Sequence, residues 1–316
     1  MRLWTALIIA GIAVFPTTAC AREWPAKPVR IVAPYAPGGS ADTFGRLLAQ
    51  KLAASFKQGF IVDNRPAAAG ILGSELVAKA PPDGYTLLIS GIGSHVIAPA
   101  LSDVPYDPMK SFTHIAFLGG PPTVLVVTPG LEAKSLDDFV ALSKAMQKGA
   151  AFGSPGRGTH GHLIGEMFRA QSGANLFHVS YKGAVPALVD LTASQIPAAF
   201  VTLSSAQGQI RADKVRALAL TSAKRLPDFA QIPTFAESGY PGLVATTWFG
   251  LSGPAGVPSD IVRRLNAAVR AALADTQVRD RLSAQGIEPN NLDADAYTEL
   301  TRSEIRRWAP FARTAR

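Results

Sequence analysis

The chain has 316 residues, 47% of them hydrophobic and 17% charged, which is long enough for two compact lobes and excludes extended disorder. It carries 31 basic and 23 acidic residues, a formal net charge of +8. The basic residues are dispersed except near the C-terminus, where they fit the solvated face of a last helix, so no nucleic-acid interface is predicted. The modest positive field favours an acidic small molecule as the partner.

Residues 1–21 have the pattern of a secretory signal peptide. Arg2 is followed by an apolar stretch, residues 5–15, that is too short to span a bilayer, and Ala19-Cys20-Ala21 then supplies small residues for cleavage before Arg22. Cys20 is alternatively a lipid-attachment site, but the leucine expected three residues before it is missing. Because Cys20 is the only cysteine, ordinary cleavage would leave an exported protein without a disulfide or a thiol-based metal site.

From Trp24 onwards, short apolar runs alternate with amphipathic stretches, which predicts βαβ units and an open, mostly parallel sheet. The first part of this pattern has strands at residues 29–33, 60–63 and 86–90, with helices at 40–55 and 73–79. The second part has strands at 124–127, near Phe152, and at 177–181, 198–201 and 215–221, with helices from Ser135, at 162–171 and at 186–193, followed by C-terminal helices at 259–273, 276–285 and 293–307.

Two glycine-rich turns, each between a predicted strand and a predicted helix, are the most informative feature. The first is residues 36–42, Ala-Pro-Gly-Gly-Ser-Ala-Asp, and the second is residues 154–162, Ser-Pro-Gly-Arg-Gly-Thr-His-Gly-His. A helix start has unpaired backbone N–H groups and the positive end of the helix dipole, and glycine lets a ligand approach that backbone closely. Two such turns far apart in the sequence predict a site between two lobes that binds a small anion.

The second turn also resembles two other kinds of site, but less well. Gly156-Arg157-Gly158-Thr159-His160-Gly161 matches the dinucleotide fingerprint GxGxxG, yet the next strand ends in Lys182 and Gly183 without an acidic residue for a ribose. His160 and His162 are two residues apart, yet no cysteine, glutamate or third histidine completes a metal-binding set nearby. We therefore predict neither a cofactor nor a metal.

Enzyme chemistry has little support in the sequence. Ser154 lacks the flanking glycines of a GxSxG nucleophile elbow. Asp42 is more typical of a carboxylate at a helix start than of a ligand contact, and it would repel a carboxylate placed face to face with it. A hydrolase or isomerase acting through Ser154, His162 or Asp42 remains an alternative, as does a sensor subunit that presents its closed form to a membrane receptor.

Short matches to one known family follow each other along nearly the whole mature chain. They include Trp24-Pro25-Ala26-Lys27-Pro28-Val29-Arg30, Gly38-Gly39 with Asp42 and Arg46, Asn64-Arg65-Pro66, Pro82-Asp83-Gly84-Tyr85-Thr86-Leu87-Leu88, Tyr181-Lys182-Gly183, Thr221-Ser222-Ala223-Lys224-Arg225 and Gly253-Pro254-Ala255-Gly256. With these residues the chain resembles the Bug family, the periplasmic solute-binding proteins of tripartite tricarboxylate transporters. The resemblance implies an α/β, two-lobed type II periplasmic binding protein, a "Venus flytrap" in which each lobe is a mostly parallel sheet flanked by helices. It also implies a small carboxylate ligand, no cofactor, membrane permease subunits as partners and a monomeric state.

The family resemblance further implies where the ligand binds. We expect residues 22–124 and 223–316 to form lobe 1 and residues 125–222 to form lobe 2. In the family the two glycine turns grip a ligand carboxylate, largely through backbone N–H groups and bridging waters. Val201 stands where the family often has an aspartate, which disfavours an amino acid and favours a plain or aromatic carboxylate. The implied contacts are Tyr35, Gly38, Gly39, Ser40, Asp42 and Ser94 in lobe 1, and Ser154, Gly158, Thr159, His162, Tyr181, Gly183 and Ala184 in lobe 2.

Overall fold

The computed structural model describes residues 23–66, 68–287, 289 and 292–314. The predicted signal peptide and Cys20 lie outside these residues. The described chain forms two five-stranded sheets, each with its own set of helices. The α/β architecture predicted from the alternation of strands and helices is therefore confirmed, as are the two lobes that the glycine turns and the family resemblance imply.

The first sheet has the strand order β2-β1-β3-β10-β4. Strand β1 is parallel to β2 and β3, whereas β10 is antiparallel to β3 and β4. Helices cover both faces, and the central residues of β3 are consequently fully buried and apolar, as in other covered parallel sheets. The elements of this lobe are β1 (Val29–Ala33), α1 (Ser40–Phe56), β2 (Phe60–Asn64), α2 (Ile71–Ala78), β3 (Thr86–Gly91), α3 (Ala98–Leu101), β4 (Phe112–Gly119), β10 (Phe249–Pro254), α8 (Ser259–Ala274), α9 (Thr276–Ser283) and α10 (Ala294–Thr314).

The second sheet has the order β7-β6-β8-β5-β9 and repeats the same design. Strand β6 is parallel to β7 and β8, and β5 is antiparallel to β8 and β9. Its elements are β5 (Thr123–Val127), α4 (Leu136–Ala145), β6 (Ala150–Ser154), α5 (His160–Ser172), β7 (Leu176–Ser180), α6 (Ala184–Thr192), β8 (Ala198–Thr202), α7 (Leu203–Arg211) and β9 (Arg216–Leu220).

Two strands of the first sheet, β4 and β10, were not predicted from the sequence. Strand β10 has the sequence Phe-Gly-Leu-Ser-Gly-Pro, in which glycine, serine and proline weaken the intrinsic preference for a strand. It forms because β3 and β4 pair with it on both sides, so that its backbone groups are satisfied and all six residues are buried. Tertiary pairing has overridden local preference here.

The chain passes between the lobes in two adjacent segments. One follows Gly119 and leads into β5, and the other precedes β10; Pro122 and Thr246 form an antiparallel bridge between them. The predicted lobe bounds, at 124/125 and 222/223, stay a prediction. In the structure Thr123 already pairs within the second sheet, and Phe229 packs into the core of the second lobe. No helix in the described part of the chain has the length and hydropathy needed to cross a membrane.

Candidate ligand-binding site

The first glycine turn joins β1 to α1 and is held by a carboxylate. Gly38 has a φ of 83°, a left-handed conformation that favours glycine. Its N–H donates to Asp42 Oδ2 at 3.0 Å, and Arg46 Nε donates to the same oxygen at 2.9 Å. Burial of Asp42 opposes its ionisation, but these hydrogen bonds outweigh burial and lower its pKa. Asp42 is therefore ionised and holds the turn in place. This agrees with the role at a helix start that its sequence position favours.

The second glycine turn joins β6 to α5 and is held by an imidazole. The Gly158 N–H donates to His162 Nδ1 at 3.3 Å, and the Thr159 hydroxyl caps α5 by accepting from the His162 N–H at 3.4 Å. Burial, with smaller effects from His178, Arg157 and Arg169, lowers the pKa of His162 to about 3. The ring is consequently neutral near pH 7, and Nδ1 can accept a hydrogen bond.

A third side chain, that of Ser154, also stabilises the second turn. Ser154 Oγ lies 3.1 Å from the Gly156 carbonyl oxygen and 2.7 Å from His178 Nε2, and it also accepts from the Gly156 N–H. Ser154 is fully buried. Its hydroxyl is thus engaged within the turn.

The two turns approach the opposite lobe closely. A Cβ added at Gly158, where φ is 85°, would lie 3.3 Å from Ala98 Cα, in the first lobe. A Cβ at Gly183 would lie 2.8 Å from Ala36 Cβ, and the Ala36 N–H donates to the Lys182 carbonyl across the cleft at 3.3 Å. Glycine is needed at these positions because the two backbones meet there.

A cluster of hydroxyl groups also joins the lobes. Ser40 Oγ, at the first residue of α1, lies 2.7 Å from both Thr202 Oγ1 and Ser204 Oγ, at the start of α7. Thr202 Oγ1 is in turn 2.8 Å from Ser205 Oγ. These contacts, together with those of the glycines, describe lobes that are closed on each other.

Between the lobes lies a cavity of about 60 Å³. Four helix starts reach it: Ser40 of α1, Thr159 before α5, Ala184 of α6 and Thr202 before α7. The capping residues of α1, α6 and α7 make no side-chain hydrogen bond to the helix. The positive ends of four helix dipoles, three of them without a side-chain cap, therefore converge on one small space. The residues that line it are Tyr35, Gly39, Ser40, Ala41, Ile92, Gly93, Thr123, Pro155, Thr159, His160, Gly161, Ala184, Val201, Thr202, Ser205, Thr247, Trp248 and Phe249.

The structure divides the sequence-predicted residues into two groups. Five of them line the cavity, namely Tyr35, Gly39, Ser40, Thr159 and Ala184. The other eight do not line it. Five of these form or brace the glycine turns, namely Gly38, Asp42, Ser154, Gly158 and His162. Gly183 precedes α6, Tyr181 donates to Asp190 at 2.7 Å, and Ser94 is buried against His95. Which of the thirteen contact a bound ligand stays a prediction.

Several lining residues were missed in the sequence. Thr202 and Ser205 could have been found, because Thr-Leu-Ser-Ser directly after an apolar strand is typical of a helix start. Thr123 and Thr247 had no such signal, since Thr123 begins β5 directly after one crossing segment and Thr247 lies on the other. His160 Nδ1 lies 2.8 Å and 2.9 Å from their hydroxyl oxygens, so the imidazole ties both crossings to α5.

His160 is a structural group in this arrangement. Burial, with a smaller effect from Arg307, lowers its pKa to about 3, so the ring is neutral near pH 7. Its ring also packs edge-on against Trp308 of α10, with centroids 5.8 Å apart. Within the described part of the chain, no three histidine, cysteine, aspartate or glutamate residues are grouped so as to hold a metal ion.

Comparisons with known proteins cover both lobes. A family model described as the tripartite tricarboxylate transporter family receptor matches residues 44–315. Protein BugT of Bordetella pertussis is 36% identical over 315 residues, which are 97% of this chain and 96% of the relative. The structure of R. palustris Rpa4515 with adipate has a TM-score of 0.89 at 33% identity, covering 93% of this chain and 98% of that one. The periplasmic binding protein BugD has a TM-score of 0.88 at 31% identity, covering 92% and 98%.

Proposed function

The chain belongs to the tripartite tricarboxylate transporter receptor family, and on that premise we propose that it captures a small carboxylate between its lobes and delivers it to the permease of such a transporter. Like its relatives, it is a solute-binding protein and not an enzyme. The predicted signal peptide and the periplasmic relative BugD support a periplasmic location.

The convergence of four helix starts on one cavity carries the proposal. An anion in the cavity would accept hydrogen bonds from N–H groups that have no partner within their helices, and it would lie at the positive ends of α1, α5, α6 and α7. A carboxylate is small, planar and negatively charged, which suits such a group of donors. The adipate in the related R. palustris structure supports the same class of ligand.

Binding energy would come from both lobes together. Helix α1 belongs to the first lobe, whereas α5, α6 and α7 belong to the second. The full set of donors therefore surrounds the ligand only when the lobes meet, so the ligand shifts the population towards the closed state. A permease that recognises the closed state would then favour loaded receptor.

Calorimetry on the mature protein tests the ligand class. We expect saturable binding to at least one member of a panel of mono-, di- and tricarboxylates, and no binding to the matching primary amides, which have the shape of the acid without its charge. Binding to sugars or cationic amino acids alone would refute the carboxylate site. Native mass spectrometry of freshly purified protein gives an independent check, since a co-purified acid would appear as a mass increment.

Uptake experiments separate transport from sensing. We expect cells that lack this receptor to lose uptake of the radiolabelled ligand and to regain it with the wild-type gene. Normal uptake, together with loss of a transcriptional response to the ligand, would favour a sensor subunit. These two outcomes distinguish a permease from a sensory receptor as the membrane partner. They do not test the class of ligand, which the calorimetry tests.

A further inference from the structure

We infer that the ligand is a monocarboxylate with an uncharged aliphatic or aromatic body, and not a dicarboxylate such as the adipate of the R. palustris relative. This inference rests on the proposed function, since it assigns the chemistry of the remainder of the same ligand. It comes from the part of the cavity wall that the helix starts do not form.

The described lining residues supply no side-chain charge. None of them is lysine, arginine, aspartate or glutamate, and the two that can titrate are Tyr35 and His160. Burial raises the pKa of Tyr35, and burial lowers that of His160, so both are neutral near pH 7. Positive potential in the cavity therefore comes from the backbone at the helix starts.

Part of the cavity wall is apolar. The consecutive residues Trp248 and Phe249 and the nearby Ile92 line it, and Ile92 is 1% and Trp248 only 4% exposed. Val201, from β8 of the second lobe, is a further apolar lining residue. Ile92 and Trp248 are neighbours, because the Ile92 N–H donates to the Trp248 carbonyl at 3.2 Å. An aliphatic chain or an aromatic ring would bury apolar surface against this wall.

The polar atom of Trp248 is engaged elsewhere. Its indole Nε1–H donates to Glu304 Oε2 at 3.1 Å, and the same oxygen accepts from Trp308 Nε1 at 2.9 Å. Glu304 lies on α10 and is not a lining residue. Since the indole N–H already has this partner, Trp248 offers the cavity no side-chain donor.

Most polar atoms near this wall are also bonded to each other. Thr123, at the start of β5, and Thr247, before β10, supply lining hydroxyls, and His160 Nδ1 bonds to both. The exception is His160 Nε2, which is buried without a hydrogen-bond partner. A second carboxylate would have to break this cluster, lie against the apolar wall without a partner, or rely on this one ring nitrogen of a neutral imidazole. Burying an unpaired carboxylate is strongly unfavourable, whereas an uncharged body has no such cost. The helix starts suit a carboxylate and the apolar wall suits a hydrocarbon.

Matched ligand pairs test the inference on the mature wild-type protein. We expect hexanoate to bind more tightly than adipate, and benzoate more tightly than terephthalate, by a factor of at least about ten at pH 7.5 in calorimetry. A dicarboxylate that binds as tightly as its partner, or more tightly, overturns the inference and leaves the proposed function standing. Absence of binding by every carboxylate overturns both.

Fluorescence tests the placement of the ligand body. Bound hexanoate or benzoate should change the tryptophan emission of the wild-type protein, and Trp248→Phe should lose that change. Trp24→Phe is the matched control and should keep it, because Trp24 does not line the cavity. A wild-type emission that stays constant at saturating ligand, or a change that survives in Trp248→Phe, overturns the contact with this wall.

Discussion

Asp42 and His162 have the same structural role in opposite lobes. Each lies in the first turn of the helix after a glycine turn, and each accepts a hydrogen bond from the backbone N–H four residues earlier. The Gly38 N–H donates to Asp42 Oδ2 at 3.0 Å, and the Gly158 N–H donates to His162 Nδ1 at 3.3 Å. The two glycines have nearly the same φ, 83° and 85°. A carboxylate and a neutral imidazole thus fix the same backbone conformation.

Removing the first brace should loosen the cavity wall. Asp42→Ala deletes the acceptor for Gly38 and Arg46, and we expect it to lower the free energy of unfolding by about 1–3 kcal/mol. We also expect ligand affinity to fall about tenfold, because Gly39 and Ser40 follow the braced glycine and line the cavity. Urea denaturation and calorimetry measure the two effects.

Asp42→Asn separates the charge of Asp42 from its role as an acceptor. The amide oxygen can still accept from the Gly38 N–H, so we expect this variant to lose less stability and affinity than Asp42→Ala. Wild-type affinity in Asp42→Ala would contradict the assignment of Asp42 as a brace of the binding turn.

Gly158 should be required for closure as well as for the turn. In Gly158→Ala the new Cβ would lie 3.3 Å from Ala98 Cα, across the cleft, in addition to the strain of a left-handed alanine. We expect ligand affinity to fall by at least about tenfold, because the closed state becomes crowded. Calorimetry with the best carboxylate measures the loss.

Gly239→Ala is a matched control for the strain alone. Gly239 has a φ of 91°, and a Cβ there would meet no atom within 4 Å. Both variants should therefore lose a similar amount of stability, about 1–2 kcal/mol, while only Gly158→Ala loses affinity. Equal affinities in the two variants would show that crowding between the lobes does not matter.

The local sequence predicted the glycine turns but not the hydrogen bonds within them. A strand, a glycine pair and a helix start form from residues close in sequence, so the site on these turns could be anticipated. The family resemblance implies that Asp42 and His162 contact the ligand, which stays a prediction, and in the structure both accept hydrogen bonds from their own turns. Thr247 and Trp248 could not be found in this way, since they reach the cavity only through the pairing of β10 with β3 and β4.

The hydroxyl cluster should stabilise the closed state without ligand. Ser40→Ala removes the hydrogen bonds to Thr202 and Ser204 across the cleft. We expect the unliganded variant to open, which small-angle scattering would record as a larger radius of gyration, and ligand affinity to weaken about two- to tenfold. Ser55→Ala is the control on the same helix, because Ser55 Oγ bonds only to the Lys51 carbonyl on the exposed face. A Ser40→Ala variant as compact as this control would contradict the prediction.

The buried histidines should make the fold less stable in acid. The pKa is lowered to about 3 for His160 and to about 4 for His114, chiefly by burial, whereas an unfolded histidine titrates near 6.5. A folded pKa below the unfolded one means that the unfolded state binds more protons. The stabilisation is therefore complete above about pH 6.5 and is lost as the pH falls towards the folded pKa. Each such histidine should contribute up to about 1.4 kcal/mol per pH unit.

Denaturation at several pH values, with a variant of one histidine, checks this sign. The free energy of unfolding should decrease from pH 7 to pH 5. His160→Gln removes one titrating group and keeps an oxygen that can accept from Thr123 or Thr247, so its decrease should be shallower than that of the wild type. Stability that stays constant or rises from pH 7 to pH 5 would contradict the burial of neutral histidines. If the unfolding free energy of His160→Gln depends on pH as steeply as that of the wild type, His160 does not contribute to the acid sensitivity. The variant lacks the imidazole that would take up a proton on unfolding, so its slope should differ.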